Sequence, residues 1–118
     1  VGCLLLMPNY NVIEICADKK KTIQFFKEVG LKFPKIFQSV DSAVFPCIIK
    51  PRFGRGSRGV FRADNKAELE FYLKKVQNPV IQQFIGGEEY TIDIFSDLKG
   101  RPLSIVPRIR LKINSGIK

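Results

Sequence analysis

The chain has 118 residues, 45% of them hydrophobic, enough to build one globular core. With 20 Lys and Arg against 11 Asp and Glu, its net charge of +9 favours anionic partners, without separating nucleic acid from nucleotide, acidic lipid or carboxylate. There is no histidine, which argues against a zinc site and leaves a cysteine nucleophile without its usual base.

Val1 to Met7 is an apolar run too short to span a membrane and without the charged region and cleavage site of a signal peptide; it is expected to be a buried strand. Pro8-Asn9 makes a turn, and a short helical or irregular piece runs through Ile15. Asp18 is a good N-cap for a helix over Lys19–Val29, where Ile23, Phe26 and Val29 recur at helical spacing and Gly30 supplies the left-handed C-terminal residue. Lys19, Lys20 and Lys21 crowd the positive end of that helix against its dipole, a hint of function for Lys19, with Lys20 and Lys21 read as a solvated run. Cys3, Cys16 and Cys47 are odd in number and lack C-x-x-C spacing, so they read as reduced structural residues of a cytoplasmic protein.

Phe45–Lys50 and Val60–Arg62 read as strands joined by a loop of glycine, serine and arginine. Glycines at 54, 56 and 59 allow backbone N–H groups to converge on an anion, while Lys50, Arg52, Arg55 and Arg58 add positive charge, so the segment reads as a phosphate cradle. Asp64 is placed to cap a helix with Leu69, Leu73 and Val76 as its apolar positions, stopped by Asn78-Pro79. Val80–Ile85 is a strand broken by Gly86-Gly87; Tyr90–Phe95 and Leu103–Ile113 flank a hairpin turn at Asp97–Gly100. In the last strand Leu103, Ile105, Ile109, Leu111 and Ile113 point one way and Arg108, Arg110 and Lys112 the other, a basic stripe that is either a wet face or a cleft lining.

The spelling G-x-G-x-x-G over Gly54–Gly59 is weak on its own. A dinucleotide fingerprint needs a helix after the glycines, and here a strand follows; a Walker loop needs Lys-Ser/Thr after the last glycine; a kinase loop has its lysine after the glycines, whereas Lys50 precedes them. An exposed hairpin tip with scattered arginines stays open at this level.

The ordered series Asp18-Lys19, Phe45-Pro46-x-Ile-Ile-Lys50-Pro51, Gly54 to Val60, Val80-Ile-Gln-Gln-Phe-Ile85, Gly87-x-Glu89-Tyr-Thr-Ile-Asp93 and Pro107-Arg108 resembles the ATP-grasp superfamily, most closely its carbamoyl-phosphate synthase large-chain type. The resemblance implies an α+β fold in which ATP lies between two subdomains. Residues 1–17 would be the tail of a preceding domain, 18–30 a hinge helix, 31–85 the lid subdomain and 86–118 the truncated start of the C-terminal subdomain. It implies that Lys19 and Lys50 reach the phosphates, that Arg55, Gly56, Ser57 and Gly59 close over them, and that Gln83, Phe84 and Ile85 meet the adenine edge, with Gln83 standing where relatives often carry glutamate. Glu89, with Glu88 as fallback, would hold the ribose hydroxyls, and Arg108 would face the reacting group; Asp93 would only neutralise the basic stripe. Magnesium would come with the ATP, its ligands lying beyond this chain, so that no metal ligand is assigned here.

The activity so implied is that of an ATP-dependent carboxylate–amine ligase, in which a small carboxylate attacks the terminal phosphate of ATP and an amine captures the acylphosphate. Both ends read as cut from a longer protein, whose remainder is the implied partner, with a second copy of the chain left open and no membrane contact. Two other readings stand beside it: a basic nucleic-acid-binding module, disfavoured because the ten phenylalanines sit mostly at core-periodic positions, and a fragment that folds without activity.

Overall fold

A computed structural model describes residues 2–3, 6–54 and 56–111. The chain divides into two compact units, Val1–Ile85 and Gly86–Lys118.

The first unit begins with two consecutive helices, α1 (Tyr10–Ala17) and α2 (Lys19–Glu28). Asn9 caps α1, its side chain accepting from the Val12 N–H at 3.0 Å. Asp18 ends one helix and starts the other: its N–H donates to the Glu14 carbonyl, and its carboxylate accepts from the Lys20 N–H at 2.9 Å. Gly30 has φ +73°, the left-handed geometry expected after α2. The lysines crowded at the start of α2 acquire local partners, since Lys21 pairs with Glu14 at 3.2 Å.

Four strands follow: β1 (Ile36–Phe37), β2 (Cys47–Pro51), β3 (Phe61–Ala63) and β4 (Pro79–Gln83), with α3 (Lys66–Leu73) between β3 and β4. They form one antiparallel sheet in the order β1-β4-β2-β3. Strand alternation sorts the two faces. Cys47, Ile49, Ala63, Phe37 and Ile81 go to one side, where they pack with Leu69 of α3 and with Val76 to make the core. Ile49 and Leu69 are fully buried, and Phe61 stacks on Tyr72 with ring centroids 4.6 Å apart. Ile48 and Lys50 go to the opposite face, in register with Gln82 and Val80 of β4.

Two expectations are corrected. The strand over Gly2–Met7 does not form at Gly2, Cys3, Leu6 or Met7, which are irregular and exposed and pair with none of the described strands; Val1, Leu4 and Leu5 lie outside the described residues. An apolar run becomes a strand only where a neighbour takes its backbone hydrogen bonds. The cap of α3 is Asn65, not Asp64: Asn65 accepts from the Glu68 N–H at 3.0 Å, Glu68 reaches back to the Asp64 N–H at 2.8 Å, and Asp64 pairs with Arg62. The cysteines also divide: Cys47 is buried in the core, where burial pushes its thiol up, whereas Cys3 and Cys16 are exposed.

The second unit is a two-stranded ribbon of β5 (Tyr90–Ser96) and β6 (Pro102–Ile109). Its turn is held by Asp97, whose carboxylate accepts from the Lys99 and Arg101 N–H groups, both at 2.9 Å, with Gly100 at φ +78°. The cross-strand register puts Tyr90, Ile92, Ile94, Ile105, Pro107 and Ile109 on one face and Thr91, Asp93, Ser104 and Arg108 on the other. Nearly every residue of the ribbon is exposed on both faces. The expected continuation of β6 to Ile113 passes beyond the described residues at Lys112.

Candidate functional site

Lys50 stands on β2, on the face away from the core, half-buried and opposite Val80. Burial, and then the charge of Lys19, holds its ammonium below the usual lysine range. Two cations from residues 31 apart in sequence are therefore neighbours in the fold. Like charges gathered at a partly buried place cost free energy, and an anion between them relieves that cost.

Lys19 reaches this place from the first turn of α2. Its backbone N–H donates to the Arg52 carbonyl at 3.1 Å, and its Nζ donates to the carbonyls of Arg52 at 3.4 Å and Gly54 at 3.2 Å. Lys19 thus grips the base of the glycine loop.

That loop joins β2 to β3, as the sequence suggests. Gly54, Gly56 and Gly59 have φ of +113°, +72° and +69°, and Ser57 between them has φ +56°. Such backbone belongs to glycine and forms anion-binding concavities. A Cβ at Gly56 would meet nothing within 4 Å, so a side chain there is opposed by φ rather than by crowding; at Gly59 it would meet the Pro51 ring at 3.2 Å. Ser57 and Arg58 are exposed, and Arg55 lies outside the described residues.

Arg52, counted at first among the loop's free cations, is already engaged. Its Nε donates to Asp18 Oδ1 at 2.8 Å and its Nη2 to Oδ2 at 2.6 Å. Asp18 is 3% exposed, the buried charged residue of the described chain, and the guanidinium beside it holds its carboxyl down at about 2.

On β4 the register separates the two glutamines. Gln82 is opposite Ile48, on the face that carries Lys50. Gln83 is opposite Cys47; its Oε1 accepts from the Lys35 N–H at 3.2 Å. Gln83 and Phe84 line a largely apolar cavity of about 240 Å³ with Lys35, Phe37, Val44, Phe45 and Pro46. Arg62 of β3 lies over the Phe84 ring at 4.6 Å, and Ile85 is exposed. Sequence reasoning missed Gln82 and Arg62 on this surface; the signal was the alternation of β4 read against β2, which requires the pairing to be known.

In the second unit Glu89 pairs with Arg110 at 2.9 Å, and Arg108 pairs with Asp93. The two described arginines of the basic stripe are thus matched by carboxylates, Asp93 on β5 and Glu89 just before it; Lys112 lies outside the described residues. Arg108 and Glu89 are both exposed. Among the described residues no group of three or more Cys, Asp or Glu is gathered to hold a metal ion, and no helix is long and apolar enough to cross a membrane. The phenylalanines are less confined to the core than their periodicity suggests: Phe37 is buried, while Phe25, Phe33, Phe53, Phe71 and Phe95 are exposed, dispersed over α2, two loops, α3 and β5 rather than rowed on one strand.

The first unit thus carries a half-buried lysine on a sheet face, a second lysine from a helix start gripping the loop that follows the strand, and left-handed glycine backbone in that loop, on an α+β fold. A family model of the ATP-grasp domain matches residues 16–115, and the chain belongs to that family. It is 39% identical over 95 residues to a D-alanine–D-alanine ligase of Fusobacterium nucleatum subsp. nucleatum, covering 80% of this chain and 33% of that protein. It is also 24% identical over 97 residues to a carbamoyl-phosphate synthase of Methanobrevibacter smithii, covering 76% of this chain and 26% of that protein. Among solved structures, an L-amino acid ligase from Bacillus licheniformis superposes with a TM-score of 0.71 at 30% identity, covering 92% of this chain and 28% of that one. The chain therefore spans about a third or less of the length of these relatives.

Proposed function

We propose that this chain is the nucleotide-binding part of an ATP-dependent carboxylate–amine ligase. The observation that carries the proposal is the placement of half-buried Lys50 on β2 and of Lys19, whose Nζ donates to the Arg52 and Gly54 carbonyls, at the base of the glycine loop that follows that strand. The residues fit a triphosphate: fixed ammonium groups and backbone able to turn N–H groups toward an anion stabilise charge spread over phosphoryl oxygens. Lys19 and Lys50 would bind the phosphates, and Gly56, Ser57 and Gly59, with Arg55, would cover them; in this reading residues 31–85 act as a lid and 18–30 as its hinge. The adenine edge falls to the backbone of Gln83, Phe84 and Ile85. Gln82, on the face of Lys50, is better directed than Gln83 to accept from the adenine amino group, because the Gln83 oxygen is taken by Lys35. Glu89 would hold the ribose hydroxyls and Arg108 the transferring group, each by exchanging its present ion-pair partner.

ATP, when bound, supplies the phosphoryl group that activates a carboxylate, and magnesium would accompany it on ligands outside these residues. The carboxylate is proposed to be a small one. Bicarbonate, as in a carbamoyl-phosphate synthase, and an amino acid, as the names of the ligase relatives suggest, are the two candidates. In the full-length protein, Lys50→Ala is expected to abolish measurable ATP binding in titration calorimetry while leaving the circular dichroism spectrum unchanged; wild-type affinity in that variant would sink the proposal. ADP release stimulated by bicarbonate alone favours the synthase reading, and stimulation by amino acids the peptide-forming one.

A further inference from the structure

The ion pair of Asp18 and Arg52 differs from the others in the chain. In most of them both side chains are 40% or more exposed, as in Lys21–Glu14, Arg62–Asp64 and Lys66–Asp41, whereas the Asp18 side chain is 5% exposed. Exposed pairs of that kind contribute little. A buried pair is also weak evidence of stabilisation, since its desolvation cost rivals its attraction. What it does fix is geometry, and here the geometry is that of the two lysines.

Three pieces of chain meet at this pair. The Asp18 carboxylate caps α2 through Lys20 N–H and clamps the Arg52 guanidinium with two parallel bonds. The Arg52 carbonyl in turn accepts from Lys19 N–H, and the Arg52 N–H donates to the Asn78 carbonyl at 2.9 Å, just ahead of β4. The start of α2, the end of β2 with its glycine loop, and the start of β4 are pinned together. Lys19 and Lys50 each sit one or two residues from the pin. We infer that Asp18 and Arg52 are positioning residues for triphosphate binding, setting the separation of Lys19 from Lys50 and the take-off of the glycine loop without themselves touching the nucleotide. The inference rests on the reading of Lys19 and Lys50 as phosphate ligands. It gives Arg52 a structural partner in place of the purely electrostatic part first assigned to it, since its Nε and Nη2 both donate to Asp18.

The test is a comparison of ATP with adenosine on the full-length protein. Asn is as good an N-cap as Asp, so Asp18→Asn keeps the start of α2 while removing the charge that holds Arg52. Its affinity for ATP is expected to fall roughly tenfold, the scale of one charge-assisted hydrogen bond, with adenosine affinity unchanged. Arg52→Lys, which retains a cation but cannot make the parallel bonds, is expected to show the same selective loss. Wild-type ATP affinity in both variants overturns the inference while leaving the phosphate reading intact. Equal losses for ATP and adenosine also overturn it, showing general damage to the fold. A wild-type protein that does not prefer ATP to adenosine overturns the phosphate reading and the inference with it.

Discussion

Removing the charge of Asp18 has a stability signature that can be worked out before any nucleotide is added. The hydrogen bond from Arg52 is the largest influence on its carboxyl, followed by the opposing effect of burial and then the Lys20 N–H, and together they lower it from 3.8 to about 2. A carboxyl depressed on folding stabilises the folded state above its unfolded value, and that contribution is lost as pH falls through the folded value. The drop corresponds to about 2 kcal/mol at neutral pH, an upper figure because the Arg52 side chain is 36% exposed and can be rehydrated. Asp18→Asn should therefore lower the unfolding free energy by about 1–2 kcal/mol at neutral pH, and the wild-type and variant curves should converge as pH falls from about 4 toward about 2. Urea unfolding followed by far-UV circular dichroism over that range is the assay. A difference that stays constant between neutral and acid pH would refute the reasoning, because it would mean that the loss comes from capping or packing and not from the ionised pair.

Leu69→Ala empties a fully buried position between α3 and the sheet and should cost about 2–5 kcal/mol in the same unfolding assay. Gly59→Ala combines φ +69° with a Cβ 3.2 Å from the Pro51 ring, next to Lys50, so it should lower both thermal stability and ATP affinity more than Gly56→Ala, which meets φ strain alone; equal effects would show that Pro51 yields freely. Glu89→Gln breaks an exposed pair with Arg110 and should leave the melting temperature unchanged while weakening ATP relative to 2′,3′-dideoxy-ATP discrimination; retained discrimination would remove Glu89 from the ribose site.

Much of the local structure is legible in the sequence because short-range chemistry decides it. Asp18 before the lysines, Gly30 after them, and Asp97–Gly100 between alternating runs all act within a few residues of themselves. The placement of Lys50 ahead of a glycine loop flanked by strands is legible for the same reason. Features set by pairing at a distance are not. Gln82 and Gln83 are neighbours with the same side chain, and only the register of β4 on β2 tells which shares a face with Lys50. Asp18 and Arg52 are 34 residues apart, and neither position suggests the other. Asp64 and Asn65 are both competent caps, and the choice fell to Asn65 because Glu68 stands three residues after it and can answer with its own carboxylate.

The wet ribbon of β5 and β6 has a calorimetric corollary. The heat capacity of unfolding comes from apolar surface that passes from a dry interior into water. Ile92, Ile94, Ile105 and Ile109 are each more than half exposed while still folded, so melting the ribbon transfers little new apolar surface. A two-stranded ribbon is also marginal by itself. Heating this stretch of chain should thus produce a heat-capacity step that reports the sheet and α3 of the first unit, with the hairpin coming apart almost silently beneath it.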